Sequence, residues 1–209
     1  MSKALLVIDV QKDFCPNGSL AVPKGDEVVP VINELMKKFF AKGWTVVATQ
    51  DWHPFSHGSF ASNNKVAPFT MGTLSGMPQV MWPDHCVQMT DGAEFHPDLL
   101  DAPTVINKGM DATVDSYSGF FDNGGKNDTG LNQCLKDAGV DEVFICGLAT
   151  DYCVKFTALD AIRLGYKTYV MLDACRGVDF PAGSVDAAIK EMKDAGVVVF
   201  SSEVVRGIP

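Results

Sequence analysis

Six apolar runs of strand length punctuate the chain: ALLVIDV, WTVVATQ, TVINKG, EVFICGL, KTYVMLDAC and GVVVF. They are continuously apolar rather than alternating, which is the pattern of strands buried on both faces. Helical segments lie between most of them. Residues 26–41 put Val28, Val31, Ile32, Leu35 and Phe39 on one helical face and end near Gly43, and TGLNQCLKDAG reads as a second helix. TDYCVKFTALDAIRLG turns Val154, Thr157, Ala158, Ala161 and Ile162 inward, and a last helix is expected over 182–195. Strands alternating with helices predict an α/β fold of three layers, a six-stranded, mostly parallel sheet covered on both faces.

The regular pattern fails from about 51 to 102, where Gly, Pro, His, Asn and Trp accumulate. An irregular insertion of that length in a compact domain is usually functional. With no repeat, low-complexity tract or linker, residues 1–209 are expected to form a single domain.

Composition narrows the function. A net charge of −9 argues against a nucleic-acid partner, because phosphate contacts need clustered Lys and Arg. No apolar run approaches the roughly eighteen residues needed to span a bilayer, and Asp9 interrupts the amino-terminal run before any cleavage site. A cytoplasmic protein is expected. The six cysteines, at 15, 86, 134, 146, 153 and 175, form no C-x-x-C pair and read as reduced thiols.

In open α/β sheets the ligand crevice lies beyond the carboxyl ends of the strands. The residues there are Asp9, Asp51 with His53, Lys108, and the turn from Ala149 to Cys153. Cys153 falls in the first turn of a helix, where the dipole and unpaired N–H groups favour thiolate; alternatively it is one more small buried filler. Asp9 is an N-cap, a turn former or a general base. Lys108, at the buried end of a strand, needs an anion, and Asp9 is a reasonable partner. Thiol, carboxylate and ammonium together make an activated nucleophile. Asp51, His53 and the distant His85 suit Zn, Fe or Mn with positions left open, or are loop residues bonded to backbone. His96 looks structural, while Phe14 and Trp82 are core residues or the walls of a pocket for a flat ring.

Five segments together resemble the nicotinamidase (pyrazinamidase) group of the isochorismatase-like cysteine hydrolases: LLVIDVQKDFCPNGSLAVP, TQDWHPFSHGSFAS, MWPDHCVQ, INKG with DSYSGFFDN, and GLATDYCVKFTALDAIRLGY. They occur in the family's order from the first strand to about residue 177. The resemblance implies a Rossmann-like, isochorismatase-like fold and hydrolysis of nicotinamide, and of pyrazinamide, to the acid and ammonia through a thioester, in pyridine nucleotide salvage. It implies that Asp9, Lys108 and Cys153 are the triad and that Asp51, His53 and His85 hold one divalent metal ion, zinc foremost, with iron or manganese as alternatives. It further implies a cis peptide before Ala149, an oxyanion hole from the Ala149 and Cys153 amides, and Phe14, Trp82 and Tyr152 around the ring. Some relatives recruit another His or a Glu to the metal; the spacing of His57 does not fix such a role. A small-molecule partner is expected, with monomer or homo-oligomer left open. The alternative is a relative acting on carbamoyl or ureido compounds, which keeps the triad without the metal triplet. A nucleotide-binding module and a redox sensor built on Cys153 are the rivals from other classes, and no G-x-G-x-x-G, P-loop or well-placed resolving Cys supports them.

Overall fold

A computed structural model describes residues 2–202. All six expected strands form one sheet: β1 (Ser2–Ile8), β2 (Thr45–Asp51), β5 (Thr104–Lys108), β6 (Val140–Leu148), β7 (Lys167–Arg176) and β8 (Val198–Phe200). Their order is β5-β2-β1-β6-β7-β8, and every pairing is parallel. β1 is fully buried from Ala4 onward, as a central strand covered on both faces must be. The last strand is shorter than its apolar run, beginning at Val198.

The helices are α1 (Val28–Ala41), the short α2 (Ala61–Asn64), α3 (Leu131–Asp137), α4 (Lys155–Arg163) and α5 (Ser184–Asp194). From β1 the chain winds outward to β2 and β5, then returns across the sheet to β6, β7 and β8. Right-handed crossovers in opposite directions place α1 on one face and α3, α4 and α5 on the other. The reversal falls between β1 and β6, so the crevice opens where those two strands end. Gly147 is required there: at φ +117 its backbone lies so close to β1 that a Cβ would stand 2.1 Å from the Ile8 carbonyl oxygen.

The segment 51–102 is less irregular than its sequence suggests. It contains an antiparallel hairpin, β3 (Thr70–Leu74) and β4 (Met77–Met81), turned by Ser75 and Gly76, both at positive φ. Apolar alternation does not announce it, because β3 packs neither face firmly into the core. No helix among the described residues is long and apolar enough to cross a membrane.

Candidate active site

β1, β5 and the turn after β6 deliver one ionisable group each to the reversal point. Asp9 follows β1 in a left-handed conformation (φ 47), which Asp tolerates better than most residues. Lys108 is the last residue of β5. Cys153 lies in a single π-helical turn, Thr150–Val154, that precedes α4, rather than in the first α-helical turn itself. The peptide between Leu148 and Ala149 is cis, as the resemblance implied.

Lys108 Nζ is fully buried and is the hub of the cluster. It donates to Asp51 Oδ1, to the Ser116 carbonyl (2.9 Å) and to Cys153 Sγ (3.5 Å). Those three acceptors take up all three N–H groups of an ammonium. Asp9 Oδ2 is also only 2.9 Å from Nζ, less well aligned than those three, and a carboxylate oxygen keeps a lone pair for a further donor. Charge therefore holds Asp9 to Lys108 while Oδ2 stays open as an acceptor. An Asp9 oxygen, an Asp51 oxygen and Cys153 Sγ all lie within 4.8 Å of one another.

Burial is the largest influence on these groups. It pushes the Cys153 thiol well above its usual range; Lys108 pulls the other way, and the Asp9 and Asp51 charges add to the rise. Desolvation therefore opposes the thiolate that the helix terminus was expected to favour, and Lys108 is the group that works with the terminus. Asp9 is raised above the ordinary carboxylate range by burial, against Lys108 and with Asp51. Lys108, despite burial, is raised because Asp51 and Asp9 flank it. A neutral thiol beside an open carboxylate oxygen and a fixed cation can transfer its proton while it attacks, the arrangement that nucleophilic catalysis requires.

Asp51, His53 and His85 converge on the other side of Lys108. After β2 the chain pairs twice, Trp52 N–H to the Lys108 carbonyl (2.9 Å) and His53 N–H to the Cys86 carbonyl (3.0 Å), which brings the WPDHC segment alongside. His53 Nε2 and His85 Nε2 lie 3.6 and 3.9 Å from Asp51 Oδ2. Their Nδ1 atoms bond the carbonyls of Gly109 (2.9 Å) and Pro83 (2.8 Å), so that each ring, when neutral, has its lone pair on Nε2. Burial and the neighbouring His53 lower His85 to about 4, keeping it neutral. Two imidazole nitrogens and one carboxylate oxygen facing a common point fit a divalent cation of the zinc, iron or manganese type.

Gly109 supplies more than its carbonyl. At φ +68, a Cβ added there would stand 2.3 Å from His53 Cε1. Gly109→Ala is expected to displace that ring and weaken metal affinity by about 10- to 100-fold, read by competition with a chromophoric chelator.

The residues expected to bind substrate, Phe14, Trp82, Ala149 and Tyr152, line one small cavity with Cys153, His85 and Asp51. Trp82 and Tyr152 meet edge to face at 4.9 Å. A larger cleft of about 340 Å³ beyond β5, bordered by Met110, Asp111 and Asp128, does not reach Cys153, so size does not mark the reactive site. His57 lies 4.4 Å from His53 between ring centroids, and it forms a second triplet with His53 and Asp115.

Several residues around the site were not foreseen. Gln11 clamps Asp51, donating to its carbonyl (2.8 Å) and accepting from its N–H (2.8 Å). Thr49 bonds both the backbone and the carboxylate of Asp9. Tyr117 accepts from Trp82 Nε1 (3.1 Å) and Gln79 Nε2 (3.0 Å), setting the Trp82 ring. Only the position of Gln11, two residues past Asp9 at a strand end, was a usable signal.

An isochorismatase domain model matches residues 3–204. A nicotinamidase of Escherichia coli is 50% identical over 201 residues, covering 95% of this chain and 94% of the relative. Among solved structures, a nicotinamidase/pyrazinamidase of Acinetobacter baumanii superposes with a TM-score of 0.93 at 46% identity, covering 98% of each chain. A pyrazinamidase of Pyrococcus horikoshii in complex with zinc gives 0.81 at 39% identity, over 96% of this chain and 99% of that one. The fold, the crevice at its reversal point and these likenesses along the whole length agree, and the chain belongs to the isochorismatase family.

Proposed function

We infer that this enzyme is a hydrolase of linear amide C–N bonds that converts nicotinamide to nicotinate and ammonia, with pyrazinamide as a second substrate. The observation that carries the reading is the buried contact of Lys108 with Asp9, Asp51 and Cys153, which joins an amidase triad to a metal triplet through one ammonium. The likeness to nicotinamidases supports the substrate. The Asp51, His53, His85 set favours it over carbamoyl or ureido compounds, whose hydrolases keep the triad without that set. We read residues 1–209 as one hydrolase domain whose segment 51–102 supplies metal and substrate residues. We place the enzyme in the cytoplasm, since its six cysteines are all unpaired.

Asp51, His53 and His85 would hold the divalent ion, zinc by preference, and its Lewis acidity would offer the ring nitrogen of the substrate a ligand position. Phe14 and Trp82 would sandwich the ring and direct the carboxamide toward Sγ. Asp9 takes the thiol proton as sulfur attacks the carbonyl carbon, and Lys108 offsets the charge left on the cluster. The Ala149 and Cys153 N–H groups are assigned to the oxyanion; removing one such donor typically costs about 10²- to 10³-fold. Asp9 then returns the proton to departing ammonia. A water deprotonated by Asp9 hydrolyses the thioester, and the thiol is regenerated.

The test is ammonia release from nicotinamide by the purified protein, together with metal analysis. One equivalent of divalent metal and steady turnover are expected; a metal-loaded protein inert toward nicotinamide and pyrazinamide would overturn the reading. Chelation is expected to weaken nicotinamide binding by about tenfold or more, roughly 1.4 kcal/mol, with recovery on adding zinc.

A further inference from the structure

Thr49 lies in β2, wholly buried, across from the end of β1. Its hydroxyl closes a small ring with a single residue: it accepts from the Asp9 N–H (3.2 Å) and donates to Asp9 Oδ1 (2.6 Å). A threonine hydroxyl has only one proton, and this one is committed to Oδ1. Its methyl is held too, because Gly119 leaves just enough room: a Cβ at Gly119 would lie 3.1 Å from Thr49 Cγ2. With a β-branched side chain, packing one branch fixes where the other points.

The two oxygens of Asp9 thus have different surroundings. Oδ1 is occupied by Thr49. Oδ2 is buried, ion-paired with Lys108 Nζ at 2.9 Å, and keeps a lone pair for a further donor. We infer that Thr49 is a positioning residue for the hydrolysis: by holding Oδ1 and the backbone of Asp9 together, it leaves Oδ2 as the one oxygen that exchanges a proton with Cys153 and then with the leaving ammonia. Without the hydroxyl, only the Lys108 charge holds the Asp9 carboxylate, which is then free to rotate, so that neither oxygen is fixed toward the sulfur. Proton transfer then waits on a rotation that the native site has already completed.

The inference rests on the triad reading above, and the experiment separates the two. Four full-length, metal-loaded enzymes differ at position 49: wild type, Thr49→Val, Thr49→Ser and Thr49→Ala. Thr against Val, and Ser against Ala, each isolate the hydroxyl, so a folding defect in the Val variant leaves the second pair to decide. Loss of the hydroxyl is expected to lower kcat on nicotinamide about 10- to 100-fold in both pairs, with KM changed less than about threefold, because the group acts on proton transfer and not on the ring. Thr49→Ser is expected to keep most of the wild-type rate. In parallel, the substrate-free rate at which iodoacetamide alkylates Cys153, followed by peptide mass at one neutral pH, should fall with loss of the hydroxyl.

Unchanged kcat in both hydroxyl-free variants would overturn the inference. So would a loss that follows the methyl, with Ser as impaired as Ala, or a rise in KM at constant kcat. A wild-type enzyme that does not turn over nicotinamide, but whose alkylation still depends on the hydroxyl, would refute the substrate and leave the role of Thr49 standing.

Discussion

Cys153→Ala is expected to release ammonia from nicotinamide at least about 10⁴-fold more slowly than wild type, while still binding nicotinamide with near-native affinity. The size follows from the chemistry: with no sulfur there is no thioester, and what remains is whatever positioning and oxyanion stabilisation do for a water. The retained binding follows from geometry. Phe14, Trp82 and the proposed metal triplet are on other elements, and the substitution removes one atom from the cavity floor. Turnover of a nicotinamide solution followed by ammonia detection, with calorimetry for binding, reads both quantities. The competing view, in which Cys153 is one of five buried thiols used as filler, predicts the opposite pair: near-normal turnover and a modest stability loss of about 1 kcal/mol. Cys146 cannot substitute, because its sulfur is turned to the Leu6 carbonyl at 3.6 Å inside the sheet.

That Cys153 differs from the other thiols was legible only in part. Its place after an apolar strand, in a chain whose other strand ends carry Asp9, Asp51 and Lys108, pointed to the crevice, because side chains past the carboxyl ends of parallel strands share one space. The strands themselves were legible for the same physical reason, since burial on both faces erases polar alternation, as in β1 and β6. The state of the thiol was not. Whether a helix terminus lowers a cysteine or desolvation raises it depends on how much protein closes over it, and no local pattern around GLATDYC records that. The hairpin of β3 and β4 was hidden because β3 is largely exposed and β4 buries three successive residues, Gln79, Val80 and Met81, so hydrophobic periodicity had no alternation to report. Thr49 and Gln11 were hidden differently. In sequence each is an ordinary polar residue beside an apolar run; their partners, Asp9 and Asp51, are 40 residues away, and parallel pairing of β1 with β2 sets them together.

Lys108→Met is expected to destabilise the fold by about 3–5 kcal/mol, in addition to abolishing turnover. The side chain lies wholly inside the protein with two carboxylates on it, Asp9 and Asp51, and among the described residues it is the one lysine or arginine that either of them meets. Removing one partner of a buried ion cluster leaves uncompensated charge in a low-dielectric space, which costs more than the cluster ever contributed. Methionine keeps most of the volume, so the loss reports charge and not a cavity. For a domain of this size the melting temperature should fall by roughly 6–20 °C. Calorimetric melting of metal-free protein gives the cleanest measurement, because a bound cation would itself offset the carboxylates. The diagnostic comparison is Lys108→Met with Asp51→Asn added: neutralising one carboxylate should recover a large part of the lost stability even though the double variant has neither triad nor metal triplet intact. If the double variant is no more stable than Lys108→Met alone, the ammonium is not what reconciles the two acids, and the joining of nucleophile and metal site through Lys108 fails with it.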